Sequence, residues 1–258
     1  MQNDFIPLSA EAIRAELPGV DIRRYDAVDS TNTEAKRLLK AGFHGPMVLV
    51  TEEQTAGRGR QGKSFYSPRG TGLYLTLVVH PNAPLDSAVH ATTAASVAVC
   101  RAIRRCTSVS PQIKWVNDLY LGERKCCGIL VEAQSDHRTG LVESLIIGVG
   151  VNLSTRDFPG ELAQTAASLQ SKACDRNILA AAIAKELLAV MSNLEDTSWM
   201  EDYRRWSLVL GRDILYWRNG EQFAARALEI GENGALLVQH PNGSRTLLQS
   251  GEISLRVC

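Results

Sequence analysis

No run of apolar residues in this 258-residue chain approaches the roughly 20 that a membrane-spanning helix needs. The amino-terminal MQNDFIPLSAEAIRAEL also lacks a basic segment followed by an apolar core, so no secretory leader is read there and a cytoplasmic protein is expected. An excess of charge of one sign is missing too, since 28 Lys and Arg balance 28 Asp and Glu. Non-specific binding to nucleic acid, which depends on neutralising phosphates, is therefore not expected, and the nearest basic cluster is local: Arg58, Arg60, Lys63 and Arg69. The six cysteines (Cys100, Cys106, Cys126, Cys127, Cys174, Cys258) form no C-x-x-C pair and have no histidine at metal-ligand spacing. They read as reduced, mostly buried thiols. None of His44, His80, His90, His137 and His240 falls in a triad or zinc motif, and there is no G-x-S-x-G elbow, internal repeat or low-complexity tract.

What is present is an ordinary globular composition, 45% hydrophobic and 22% charged, long enough for one large domain or a large and a small one. DSTNTEAKRLLKAG carries a helix signature, with Thr31 three residues before Glu34 as a capping box and Gly42 as the stop. MVLVTEE and GLYLTLVV read as strands, and Asp86 to about Cys106 as a small-residue helix capped by Asp86 or Ser87. Three strand-like pieces follow, QIKWVND, LYLGERKCCGILVEAQ with a turn near Gly122, and ESLIIGVGVNLS. Helices are then expected around Asn177 to Leu194, capped by Asp175, and Trp199 to Ser207. Past Gly211, short alternating runs separated by NG, ENG and PNG turns predict a small all-β unit of about five strands. The division predicted is 1–208 and 209–258.

Gly57 to Ser64, GRGRQGKS, matches the spacing of a phosphate-cradling P-loop. The context contradicts that reading: the preceding strand ends several residues before Gly57, and Pro68, Gly70 and Gly72 stand where a helix would begin. The stretch reads instead as a mobile, cation-bearing loop between two strands. Other polar or glycine residues fall at strand ends: Ser30 to Asn32, Gln54 to Lys63, Lys114 to Asp118, and Lys125. In GVGVN, Gly148 and Gly150 share one strand face and leave it bare, which suits a flat ligand or a close helix contact equally. Each lysine or arginine alone is an ordinary surface residue. Together they would supply the preorganised positive charge that an anionic ligand or transition state requires. Cys126 and Cys127 sit beside Lys125, yet an adjacent pair entering an apolar strand reads as core.

The ordered set DSTN, QTAGRGRQGKSFYSP, GLYLTLVV, KWVNDLYL, RKCCGILVE and GVGVN resembles the biotin protein ligases, and GENGALLV with the terminal GEIS extends the likeness over almost the whole chain. The resemblance implies an α+β fold, a mixed sheet with flanking helices of the class II synthetase-like kind, followed by a small SH3-like β-barrel. It implies an enzyme that joins biotin to ATP as biotinyl-5′-AMP, releasing pyrophosphate, and passes the biotinyl group to a lysine of a biotin carboxyl carrier protein. By the same resemblance biotin would meet Ser30, Thr31, Asn32, Gln54, Gly57, Arg58, Arg60, Lys125, Gly128, Gly148 and Gly150. The nucleotide would meet Arg58, Arg60, Lys63, Phe65, Lys114, Asn117, Asp118, Lys125 and Asn152. Lys125 and Arg60 would be the catalytic pair, and Asp118 would hold Mg²⁺ on the ATP phosphates. Arg58 and Arg60 would belong to a loop that orders over the intermediate and excludes water.

Three departures from the family pattern stand out. Val116 replaces the usual proline of KWPND, which would loosen that turn. Phe65 stands where tryptophan is common, reducing the area available to stack on adenine. The lead-in before Ser30 is too short for the DNA-binding winged helix of some relatives, so a ligase without repressor function, monomer or homodimer, is expected. The rival readings are a lipoate ligase or octanoyltransferase of the same fold, a non-catalytic biotin or adenylate binder and, distantly, a P-loop NTPase.

Overall fold

A computed structural model of the chain describes residues 6–81, 83–84, 90–135, 138–170, 174–249 and 254–257, the last of these as backbone only. The cap expected from Asp86 or Ser87, His137, Cys258 and most of GEIS lie outside the described residues. In chain order the elements are α1 (Ala10–Glu16), β1 (Asp21–Tyr25), α2 (Thr31–Lys40), β2 (Met47–Thr51), β3 (Gly72–Val79), β4 (Ala83–Pro84) and α3 (Ala91–Cys106). There follow β5 (Gln112–Lys114), β6 (Asp118–Leu121), β7 (Arg124–Ser135), β8 (Leu141–Asn152), α4 (Leu162–Thr165), α5 (Arg176–Met191) and α6 (Met200–Arg205). Last come β9 (Asp213–Arg218), β10 (Glu221–Ile230), β11 (Leu236–Gln239), β12 (Arg245–Leu248) and β13 (Ser254–Val257).

The first eight strands form one mixed sheet in the order β1-β2-β3-β8-β7-β6-β5, with β4 on β8. Among the described strands of this sheet, the β1–β2 pairing is parallel and the others are antiparallel. Its two faces are separated by strand alternation. Register aligns Thr76 with Gly148, Leu130 with Gly148, and Gly128 with Gly150, so these residues share a face. At one end of that face α2 packs Ala35 on Met47, Leu49, Val78 and Ile146. The opposite face, with Leu75, Ile147, Val149 and Val151, is buried with α1, α3 and α5 in the main core. Helices therefore cover the middle of the sheet on one side, while on the other α2 covers only one end, and the uncovered part is where a ligand can reach it.

Local chemistry accounts for most boundaries. Asp175 caps α5, its Oδ1 accepting from Asn177 N at 2.7 Å. Gly42 and Gly122 take left-handed φ values of 92° and 58° where α2 ends and where β6 turns into β7. The capping box on Thr31 is not formed. Ser30 is the N-cap residue, its side chain makes no capping bond, and Thr31 is already helical. The Glu34 carboxylate goes to Arg37 at 3.0 Å instead. The reason is tertiary: Thr31 and Asn32 are drawn into a buried hydrogen-bond network that outcompetes local capping.

The last five strands form a separate antiparallel sheet in the order β12-β11-β10-β9-β13. The strand number agrees with the turn spacing. The expected barrel is not closed among the described residues, where β12 and β13 are the two edges. Bonds from the β5–β6 turn and from α6 reach this part of the chain: Trp115 Nε1 donates to Gly234 O at 2.9 Å, and Arg204 Nε donates to Ile230 O at 2.8 Å.

Candidate functional site

The open part of the sheet face, the segment after β2 and the β5–β6 turn enclose a cavity of about 380 Å³. Of the seventeen residues predicted for the site, Gly57 alone is not in its lining. A Cβ at Gly57 would stand 2.4 Å from Phe65 O and 2.8 Å from Ser67 Oγ. This glycine therefore lets two backbone segments cross rather than facing a ligand.

At the floor lies an uncharged polar chain. Thr31 donates from both N and Oγ1 to Gln54 Oε1, at 3.0 and 3.1 Å. The fully buried Thr76 places Oγ1 2.7 Å from both Thr31 Oγ1 and Asn32 Oδ1, and Gln54 Nε2 donates to Ser67 Oγ at 2.8 Å. Asn32 Nδ2 donates to Glu132 Oε2 at 3.0 Å. Because a carboxylate only accepts, this bond fixes the amide with its nitrogen toward Glu132 and its oxygen toward Thr76. Buried networks of this kind are stiff when every member is satisfied.

Cations line the cavity as well: Arg58, Arg60, Lys63, Lys114 and Lys125, against Asp118 as the acidic lining residue, with Arg58 lying beside Asn32 through Glu132. Lys125 Nζ lies 2.6 Å from Asp118 Oδ1. Strand alternation alone would turn Lys125 away from Gly128. A register shift does the opposite: Leu119 pairs with Cys127 but Tyr120 with Lys125, leaving Cys126 as an extra residue on β7. Such a bulge re-aims the side chain beyond it, and a Cβ on Gly128 would meet Lys125 Nζ at 3.1 Å. The same bulge leaves Cys126 and Cys127 both in the main core. Burial pushes the Cys126 thiol up to about 12 and that of Cys127 well above its ordinary value, as suits thiols packed in a core.

The GRGRQGKS stretch is a narrow hairpin. Gly59 N bonds Lys63 O at 2.7 Å, and the tip is a 3₁₀ turn over Arg60–Gly62. Neither a strand directly before it nor an α-helix after it is present, which removes the P-loop reading. Arg60 Nη1 donates to Asn117 Oδ1 at 3.1 Å. Burial pulls its guanidinium below the usual value, with the Asp118 and Tyr203 charges opposing. Asn117 is pinned in turn by its Nδ2 donating to Ile129 O. Lys114 Nζ donates to Tyr120 OH at 3.1 Å. The turn at Val116 is held without proline, its carbonyl accepting from Tyr203 OH at 3.0 Å and Ser96 Oγ at 3.2 Å.

Gly148 and Gly150 do share a bare strand face, and in this structure protein side chains cover it. A Cβ on Gly148 would stand 2.2 Å from Asn32 Oδ1, and one on Gly150 2.4 Å from Phe65 Cε1. Phe65 thus rests on the Gly128–Gly150 cross-strand pair, 5.9 Å from Lys125 Nζ. Asn152 donates from Nδ2 to Ala167 O at 3.1 Å, while its Oδ1 is buried without a partner. Two sets of residues were not foreseen. Tyr66, Phe158 and Leu162 form an apolar lip, which no motif marks. Glu132 neighbours the site and was legible in principle, since alternation from Gly128 through Leu130 puts it on the same face.

Residues 25–152 match the model of the biotin/lipoate A/B protein ligase family. Over 251 residues the chain is 30% identical to the bifunctional ligase/repressor BirA of Bacillus subtilis, covering 94% of this chain and 76% of that protein. It is 28% identical to the biotin–[acetyl-CoA-carboxylase] ligase of Mycobacterium tuberculosis, covering 95% and 94%. Among solved structures, the biotin protein ligase from Aquifex aeolicus in complex with biotin and ATP superposes with a TM-score of 0.75 at 25% identity, over 92% of this chain and 99% of that one. The chain belongs to the biotin/lipoate A/B protein ligase family and is an enzyme of the biotin protein ligase kind.

Proposed function

We propose that this chain activates biotin with ATP to biotinyl-5′-AMP and then transfers the biotinyl group to a lysine of a biotin carboxyl carrier protein. The observation that carries the reading is one cavity lined both by a hydrogen-bonding set, Thr31, Asn32 and Gln54, and by five cations. A ureido ring with a carboxylate tail needs the first. The meeting of that carboxylate with a triphosphate needs the second, because two anions approach each other and charge builds on the leaving pyrophosphate.

In the first step a carboxylate oxygen attacks the α-phosphorus and the bond to pyrophosphate breaks. In the second the acceptor amine attacks the acyl carbon, AMP leaves with the electron pair of the acyl C–O bond, and the amine proton goes to solvent. Lys125, held at Asp118 and aimed by the β7 bulge, stabilises the carboxylate and α-phosphate, and Arg58 and Arg60 close over the anhydride. Ser30 and Gly128 complete the biotin end, with Gly148 and Gly150 beneath the tail once Phe65 swings aside. Lys63, Lys114 and Asn117 serve the nucleotide, and the unpartnered Asn152 oxygen can accept from an amino group of the base.

Among the described residues no group of three acidic, histidine or cysteine side chains could hold a metal. That fits an ion carried by the phosphates and given one protein oxygen, Asp118. Mg²⁺ bound this way would neutralise phosphate charge. We also assign residues 1–208 to the catalytic domain and 209–258 to an SH3-like domain, supported by the separate five-stranded sheet.

The test is pyrophosphate exchange into ATP with purified protein, comparing biotin, lipoate, octanoate and no acid. Exchange with biotin alone is expected. Exchange with lipoate or octanoate instead would move the chain to the other branch of its family, and none at all would refute an adenylating activity.

A further inference from the structure

Two lysines stand on the cavity face of the β5, β6 and β7 strands, and they are held by different chemistry. Register opposes Lys114 to Asp118 and Gln112 to Tyr120 across β5 and β6, and Tyr120 to Lys125 across β6 and β7. Residues directly opposite share a face, so Tyr120 lies between the two lysines, and all three line the cavity. Lys125 is held by a carboxylate, Asp118, at 2.6 Å. Lys114 Nζ instead donates to Tyr120 OH at 3.1 Å and lies 4.9 Å from the centre of the Tyr120 ring.

The difference bears on what each contact leaves for an anion. A carboxylate opposes the charge that it orients and repels an incoming anion. A phenol and a ring face orient an ammonium through a dipole and a quadrupole, and bring no negative charge of their own. Burial, with the Asp118 and Cys126 charges adding to it, pushes the Tyr120 phenol well above its ordinary range, so it stays a neutral dipole at working pH. A lysine stem is flexible, and holding its head beforehand removes part of the ordering cost from ligand binding. Lys114 and Lys125 stand two strand spacings apart, roughly 10 Å. Lys114 is thus set away from the carboxylate and α-phosphate given to Lys125, toward the rest of the phosphate chain.

We propose that Tyr120 is a positioning residue that fixes the Lys114 ammonium where the β- and γ-phosphates of the nucleotide, and then the leaving pyrophosphate, are bound. The phenol acts through Lys114 and does not touch the phosphates. That Lys114 meets the phosphate chain during a reaction rests on the adenylate-forming reading above; that Tyr120 orients Lys114 for a polyphosphate does not.

Two assays test it: the KM for pyrophosphate and for ATP in biotin-dependent exchange, and calorimetric binding of inorganic pyrophosphate, AMP and biotin to the full chain with Mg²⁺. AMP is the control because it lacks the two phosphates in question. Tyr120→Phe keeps the ring and removes the hydroxyl. It is expected to raise the KM for pyrophosphate and ATP, and to weaken pyrophosphate binding, by about fivefold, less than losing a direct hydrogen bond to a charged group because Lys114 itself remains. AMP and biotin affinity should stay within about twofold, since neither calls on Lys114. Tyr120→Leu, which loses the ring face as well, should weaken pyrophosphate further. On a Lys114→Met background Tyr120→Phe should add nothing. Unchanged pyrophosphate parameters in both tyrosine variants would overturn the proposal, as would equal losses for AMP and biotin, which a general disturbance of the site would give. A full effect of Tyr120→Phe on the Lys114→Met background would mean that the phenol meets the phosphates itself, and the positioning role is wrong. If Tyr120→Leu does not fold, Tyr120→Phe decides alone. If the wild type shows no biotin-dependent exchange, the proposed reaction is wrong, and selective loss of pyrophosphate binding in Tyr120→Phe still judges the Lys114 contact.

Discussion

Replacing Gly148 by alanine places a methyl group 2.2 Å from Asn32 Oδ1 and 2.9 Å from its Cγ, about 1 Å inside an ordinary contact. The amide cannot retreat freely. Its oxygen lies 2.7 Å from the buried Thr76 Oγ1 and its nitrogen 3.0 Å from Glu132, and Asn32 itself is fixed in the first turn of α2. Relief requires moving that turn or breaking both hydrogen bonds. Overpacking and the loss of buried hydrogen bonds together cost about 3 kcal/mol. For a chain of this size that corresponds to a fall of roughly 6–12 °C in Tm.

Gly150→Ala is the control. Its methyl group would meet the Phe65 ring, 2.4 Å away at Cε1, and Phe65 sits at the base of a hairpin and can swing outward. That variant should keep its stability within about 1 kcal/mol. Urea and thermal unfolding, with calorimetric titration of biotin, separate the two cases. Gly148→Ala should lose both stability and biotin affinity, whereas Gly150→Ala should chiefly change ligand binding. A Gly148→Ala variant with wild-type stability and affinity would refute the view that Asn32 and its network form the rigid floor of the site.

Lys125→Ala should abolish biotin-dependent pyrophosphate exchange while leaving biotin affinity within about threefold, because the lysine serves charge that develops during reaction; calorimetry beside the exchange assay checks it, and equal loss of both would make its role binding. Glu52→Gln should destabilise the protein by about 3–5 kcal/mol in urea unfolding. It removes the charge facing Arg176, which is 2% exposed and bonded to both Glu52 oxygens at 2.9 and 3.2 Å. For Glu132, burial raises the carboxyl but the Lys36 and Asn32 hydrogen bonds and the Lys36 and Arg58 charges outweigh it, so its value in the folded protein is lowered. A lowered value stabilises above the unfolded carboxylate range and is lost as pH falls through the folded value. The stability gap between wild type and Glu132→Gln should therefore be constant from pH 6 to 8 and close below about pH 4, as acid-to-neutral unfolding curves would show.

The sequence by itself determined the elements whose signals are local. Period-two apolar runs gave β3 and β8, Asp175 gave the start of α5, and glycines gave the ends of α2 and β6. The NG and PNG turns gave five terminal strands. It also marked nearly all of the cavity lining, because ordered motifs at strand ends converge when those strands share a sheet. What it left undecided depended on which partners meet across the fold. Thr31 as a cap was a sound local inference, and it lost because Gln54 and Thr76, far along the chain, offer buried hydrogen bonds instead of solvated ones. Lys125 faces the cavity only through a bulge, which sequence spacing does not reveal since one extra residue inverts every later side chain. Gly148 and Gly150 were legible as a bare strip, but that Asn32 and Phe65 lie on it follows from where α2 and the hairpin pack. Glu132 looked like any polar residue in a strand until the structure brought Arg58, Lys36 and Asn32 to it, for the energy of a charge is set by what surrounds it in space rather than by its neighbours along the chain.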